Sequence, residues 1–329
     1  MSIEAKTKIE IDNLMVSASP HIRCDESISK IMWSVNAALA PAALFSIFNF
    51  GMPAFVNLVV CIVAAVVTEY LILKWQNKPM VIGDGSAFLT GLLLAMNIPA
   101  TLPWYMPLAG SIFAIAVAKH TMGGLGFNIF NPALIGRAFI LASWPIAMTT
   151  WPISRDMVGK VDGLTSATPL GILKLQGYEK LVATFGDQAA MYKSLFLGER
   201  AGSMGETSAI LLLLGGIYLI YKGYIKWQVP VIMIGTVGAL TAAFGGDPLF
   251  HMMSGGLILG AFYMATDMVT IPITTKGQII FAVGAGALTV LIRLQGGYPE
   301  GVCYAILLMN CVTPLIDRLV RPVKYGARR

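Results

Sequence analysis

Gly255-Gly256-Leu257-Ile258-Leu259-Gly260-Ala261-Phe262-Tyr263-Met264-Ala265-Thr266-Asp267 is apolar until its last two residues, Thr266 and Asp267. It lies inside a longer apolar run, 249–273, and about 20 such residues span a ~30 Å hydrocarbon core. The polar Ala265-Thr266-Asp267 therefore predicts a broken membrane segment. Irregular backbone at that depth is tolerated only where protein buries it or where it lines a water-filled cavity. A similar run occurs earlier, Thr90-Gly91-Leu92-Leu93-Leu94-Ala95, in a short segment, 85–98, that ends at Asn97-Ile98-Pro99.

Working outward, ten segments read as membrane-spanning: 31–50, 53–74, 85–98, 103–119, 131–148, 206–222, 229–246, 249–273, 278–294 and 299–316. The two similar runs fall on the third and the eighth. Gly123-Gly124 before the fifth parallels Gly296-Gly297 before the tenth. With five spans per half the repeats are inverted, the plan of transporters whose sites lie at discontinuous helices. The expected fold is an all-α integral membrane protein of about ten helices in two inverted five-helix repeats, with helices three and eight broken. Its parts are an N-terminal segment 1–30, a first repeat 31–148, a long loop 149–204, a second repeat 205–317 and a basic tail 318–329.

Composition agrees. The 329 residues are 56% hydrophobic and 12% charged, against about 25% charged in soluble domains. The first 28 residues carry Glu4, Lys6, Lys8, Glu10, Asp12, Arg23, Asp25 and Glu26 with no apolar core between them, so no cleavable signal peptide is read. The net charge of +6 does not point to nucleic acid, because the basic residues sort by side of the membrane. Lys74, Lys78, Lys119, His120, Lys222, Lys226 and Lys276 share one side with the tail residues Arg318, Arg321, Lys324, Arg328 and Arg329; Arg293 is the exception. Both termini are then cytoplasmic and the loop 149–204 faces outward. Cys24, Cys61, Cys303 and Cys311 form no Cys-x-x-Cys pair, so this chain alone encodes neither an iron–sulfur cluster nor a zinc site.

Four motifs carry chemistry. Asp162-Gly163-Leu164-Thr165-Ser166-Ala167-Thr168-Pro169 stands in the outer loop. Its bland reading is a turn followed by an extended residue before proline; the same geometry presents the Thr168 hydroxyl for modification, with Thr165 and Ser166 as neighbours. Gly202-Ser203-Met204-Gly205-Glu206-Thr207-Ser208-Ala209 opens the sixth segment as a capped helix N-terminus, which also attracts phosphate. Asn131-Pro132 starts the fifth segment, and Arg137 within it requires a partner, either a carboxylate or a phosphate. Asp267 is either a pathway acid or an interfacial helix cap, and the residues alone admit both. Glu69 and Asp84 read as interfacial.

These stretches resemble the RnfD/NqrB family of membrane subunits in ion-pumping redox complexes. The pattern Asp, two residues, Ser/Thr, Gly/Ser, Ala, Thr matches 162–168, and the resemblance continues through Gly202–Ala209, Gly123–Ala133 with Gly136-Arg137-Ala138-Phe139, and Ala261–Asp267. It implies FMN esterified through its phosphate to Thr168, so that the chain is at once flavoprotein and phosphoprotein. It implies Asp162, Thr165, Ser166, Ala167, Glu206, Thr207, Ser208 and Arg137 around the flavin, and an ion route past Asn97, Thr266 and Asp267. A non-covalent riboflavin and a urea-transporter-like fold also follow from the resemblance. The short N-terminal region matches the RnfD branch. That branch implies the A and E membrane subunits, the flavin-bearing G subunit and the iron–sulfur B and C subunits as partners. It further implies Na⁺ or H⁺ as the translocated ion and a bacterial inner membrane as the location. The alternatives are an NqrB-type subunit of a Na⁺-pumping NADH:quinone reductase, or a solute channel without redox chemistry.

Overall fold

A computed structural model describes residues 26–152, 165–198, 201–206 and 208–321. Asp162, Thr207, Cys24, most of the N-terminal segment 1–30 and the end of the tail 318–329 lie outside these. The described chain is a helical membrane protein. Four helices are long and apolar enough to cross a bilayer: α1 (Ile28–Phe50), α2 (Met52–Trp75), α14 (Thr275–Gln295) and α15 (Val302–Leu319). Four shorter apolar helices fall on other predicted segments: α3 (Ser86–Met96), α5 (Pro132–Ser143), α10 (Ala209–Tyr221) and α11 (Gln228–Ala243). The fourth segment combines α4 (Tyr105–Phe113) with a π-helical stretch, Ala114–His120. The fifth bends at Trp144 into a short α6 (Pro145–Thr149).

The eighth segment is in pieces: α12 (Pro248–Met253), a break at Ser254-Gly255-Gly256, α13 (Leu257–Leu259) and a π-helical stretch, Gly260–Met264. The helix stops at Ala265, where the sequence placed the interruption. The earlier break was not read from the sequence. There Ser254 is extended and Gly255 takes φ +67°, a left-handed conformation that favours glycine. The end of the third segment meets the eighth, with Asn97 Nδ2 3.5 Å from Met264 Sδ, and Gly205 packs against both: a Cβ there would lie 2.6 Å from the Met96 carbonyl and from Leu259 Cδ2.

Caps set the helix starts. Asn131 accepts from Ala133 N and Leu134 N with Pro132 at the first helical position, as its sequence predicts. Ser208 accepts from Leu211 N at the start of α10. Lipid is as apolar as leucine, so helices associate through small residues and close backbone approach. A Cβ on Gly91 would sit 2.7 Å from the Cys61 carbonyl, and one on Gly136 2.8 Å from the Gly110 carbonyl. No larger residue fits either crossing without moving backbone.

The long loop is itself folded where described. β1 (Trp151–Pro152) pairs antiparallel with β2 (Thr165–Ser166). Three helices follow, α7 (Pro169–Gln176), α8 (Tyr178–Phe185) and α9 (Gln188–Leu197). Leu170, Leu181, Met191 and Leu195 form a small core of their own that rests on Phe250 of α12. The loop thereby becomes a helical cap seated on the first piece of the eighth segment.

Candidate functional site

Thr168 is the N-cap of α7. Its backbone is extended (φ −60°, ψ 156°), and its Oγ1 accepts a hydrogen bond from Gly171 N at 3.1 Å. Pro169, at the first helical position, has no N–H to lose. Thr168 is 2% exposed, yet it lines a cavity of about 210 Å³. Arg137, Met148, Trp151, Tyr298 and Glu300 share that lining, and Ala167 at its mouth is exposed. Arg137 Nη2 lies 2.5 Å from Glu300 Oε2, with both side chains buried. Arg137 Nε and Glu300 Oε1 have no hydrogen-bond partner among the described residues.

This set fits a phosphate ester. A hydroxyl stands at a helix N-terminus, where backbone N–H groups and the helix dipole favour an anion. A guanidinium with a spare donor faces the same space, and two aromatic rings flank it. Glu300 competes for the guanidinium, so a phosphate here shares Arg137 with a carboxylate. Arg137, Ala167 and Thr168 are thus brought together. Thr165 and Ser166 lead into Thr168 through β2. Glu206 and Ser208 do not line this cavity: Glu206 is 3% exposed, accepts from Ser203 Oγ at 2.9 Å and lies in electrostatic reach of Arg137. Glu300 was not legible, because a lone arginine in an apolar run demands a partner without naming one far along the chain.

The second cluster lies toward the basic side. Thr266 and Asp267 line a cavity of about 80 Å³ with Ser86, Thr90, Lys119 and Asn128. Asp267 accepts from Val269 N at 3.4 Å and Thr270 Oγ1 at 3.2 Å, so it caps the following turn and lines the cavity as well. Asn97 is apart from this cavity; its Nδ2 donates to the Leu93 carbonyl at 2.8 Å and contacts Met264 Sδ at 3.5 Å. Lys119 is 1% exposed. Its ammonium donates to Glu69 Oε1 and Ser86 Oγ, both at 2.7 Å. His120 Nε2 is 3.5 Å from the same carboxylate oxygen, and Ser86 Oγ donates to Asp84 Oδ1 at 2.7 Å. Glu69, read as interfacial, is enclosed by protein. Lys119, read as one of the basic residues on the shared side, is buried within the protein. The sequence signal was present: a Lys-His pair ending one apolar run and a glutamate inside another.

On the cap, Asp247 N-caps α12 and accepts from the Tyr178 and Tyr192 hydroxyls at 2.8 and 2.5 Å. Burial works against its charged form, but those hydroxyls and the Phe250 N–H outweigh it, so its carboxyl lies below the ordinary range. Burial, and then the Asp247 carboxylate, raises both tyrosine hydroxyls.

Four helices long and apolar enough to cross a bilayer, a buried lysine–glutamate pair, and a folded cap that places a threonine beside an arginine define a helical membrane protein. The chain belongs to the NQR2, RnfD, RnfE family, whose model matches residues 15–326. It is 66% identical over 332 residues to the D subunit of the proton-translocating ferredoxin:NAD(+) oxidoreductase complex of Clostridium ljungdahlii, covering 99% of this chain and 100% of that one. It is 46% identical to the D subunit of the Na(+)-translocating ferredoxin:NAD(+) oxidoreductase complex of Acetobacterium woodii, covering 96% of each. It is 40% identical to the D subunit of the ion-translocating oxidoreductase complex of Stutzerimonas stutzeri, covering 91% of this chain and 92% of that one.

Proposed function

We propose that this chain is the D-type membrane subunit of an ion-translocating ferredoxin:NAD⁺ oxidoreductase complex, carrying FMN in phosphoester linkage on Thr168. Its full-length similarity to subunits of that name supports the complex. The observation that carries the flavin is the Thr168 hydroxyl at the N-terminus of α7, in one cavity with Arg137. Bound FMN would supply electron transfer at the outer face of the membrane.

The chain's own residues hold and insulate. Backbone N–H groups at the start of α7 and the Arg137 guanidinium face the phosphate position. Trp151 and Tyr298 shield it from water, and Glu300 keeps Arg137 oriented. Threonine is a weak nucleophile unaided, so a flavin transferase activates it. The partners in this reading are the A and E membrane subunits, the flavin-bearing G subunit and the iron–sulfur B and C subunits. The ten segments form two inverted halves in a bacterial inner membrane, with both termini cytoplasmic and the cap outside.

Asp267 and Thr266, with Asn97 at the end of α3, mark the route for Na⁺ or H⁺. A non-covalent flavin such as riboflavin belongs to the same reading, with no pocket assigned to it. The test is a Thr168→Val variant of the intact complex. It assembles, because losing an N-cap costs only about 0.5–2 kcal/mol, but it loses ferredoxin-linked NAD⁺ reduction. Full turnover by that variant contradicts the reading.

A further inference from the structure

Arg293 is the one basic residue that broke the side rule of the sequence, and the structure explains why. It ends α14 at 4% exposure, so it is enclosed by protein and is not a loop charge. Its Nη1 donates to the His251 carbonyl at 2.6 Å and its Nη2 to the Ser254 carbonyl at 2.9 Å. These are carbonyls at the C-terminal end of α12, which the break leaves without helical partners. A cation there also complements the helix dipole. The same guanidinium meets the cap: a Cβ on Gly255 would lie 2.9 Å from Leu170 Cδ1 and 3.0 Å from Arg293 Nη2. Leu170 stands two residues after Thr168. Lys174 of the same helix donates to the Gly296 carbonyl and, at 3.4 Å, to the Arg293 carbonyl. From Gly256 onward the chain runs through α13 and the π-helical stretch to Thr266 and Asp267.

We propose that Arg293 is a positioning residue that couples α7 to the broken eighth segment by clamping the Ser254–Gly256 break against Leu170. The inference rests on the proposed function, since α7 is the helix that Thr168 caps. A shift of α7 at Leu170 bears on Gly255. Arg293 fixes the two carbonyls before that glycine, so the displacement passes along the helical rod toward Asp267. Any reorientation of α7 then changes the ion route without contact between the two sites.

The experiment uses the intact complex in inverted membrane vesicles driven by reduced ferredoxin and NAD⁺. It reads NADH formed, cation moved (radioactive Na⁺ uptake and a pH-gradient dye) and FMN on the Thr168 peptide by mass spectrometry. Arg293→Gln retains the flavin but lowers cations moved per electron by at least ~5-fold, the low end of site-to-site coupling. Arg293→Lys, which keeps the charge but not the two-carbonyl grip, falls between. Leu170→Ala leaves Arg293 and its bonds in place and also lowers the ratio; it decides the matter if Arg293→Gln fails to assemble. An unchanged ratio in flavin-bearing Arg293→Gln, or in Leu170→Ala, overturns the coupling role. An unmodified Thr168 in the wild-type complex overturns the flavin reading and this inference with it.

Discussion

Arg137 of α5 and Glu300, in the turn before α15, form a buried ion pair of 2.5 Å that walls the cavity beside Thr168. The pair joins the fifth and tenth segments at the place where the cap descends. It also sets how much of the guanidinium is free for an anion.

Breaking that pair from one side leaves a buried charge alone. Glu300→Gln is expected to destabilise the protein by ~3–5 kcal/mol, whereas Arg137→Met with Glu300→Leu is close to neutral. Thermal unfolding in detergent distinguishes them. Equal losses in the single and double variants contradict the pair's role.

Asp267→Asn removes the carboxyl group from the cavity shared with Lys119 and lies away from the α7–α9 cap. Cation uptake is expected to fall at least ~10-fold, in keeping with the pathway role of intramembrane acids. FMN on Thr168 stays at the wild-type level by peptide mass spectrometry. Wild-type uptake by this variant removes Asp267 from the ion route.

The cap's seating is pH-dependent with a definite sign. The Asp247 carboxyl is depressed, so its contribution is present above the ordinary carboxylate range and fades as pH falls through its lowered value. The Tyr178 and Tyr192 hydroxyls are raised, so their contribution is full at neutral pH. It fades only above the ordinary tyrosine range, as pH rises toward their folded values. Hydrogen-exchange protection across 178–192, corrected for the intrinsic pH dependence of exchange, should therefore fall only in acid below the ordinary carboxylate range, and Asp247→Asn should abolish that acid sensitivity. A flat profile in the wild type contradicts this account.

Lys119 and Glu69 give a test of the internal charge. Lys119→Met leaves Glu69 buried without its 2.7 Å partner, an expected loss of ~3–5 kcal/mol. Adding Glu69→Leu should recover most of it. No recovery in the double variant means that Lys119 acts through Ser86 rather than through Glu69.

That the chain is a helical membrane protein was legible because apolar runs of membrane length leave few alternatives, and the four long and four shorter apolar helices fall on predicted segments. Helix starts at Asn131 and Ser208 were legible from cap chemistry, whereas Thr168, read as an extended loop residue before proline, caps a helix that the sequence reading did not place. Pairings across the fold were not: Lys119 with Glu69 and Arg137 with Glu300 depend on which helices touch, and a single apolar pattern does not encode that. The break at Ser254–Gly256 was hidden among many glycines in the sequence. Only the φ of Gly255 and the Arg293 hydrogen bonds distinguish it. The sequence assigned Arg293 and Lys119 a side of the membrane but not their burial, since charge near a segment end looks alike whether it faces water or protein.

The most direct measurement is intact-mass and peptide mass spectrometry of the purified chain, made alongside a competent flavin transferase. An FMN-sized increment on the peptide containing Thr168 is the predicted result. An unmodified Thr168 in that protein would contradict the account.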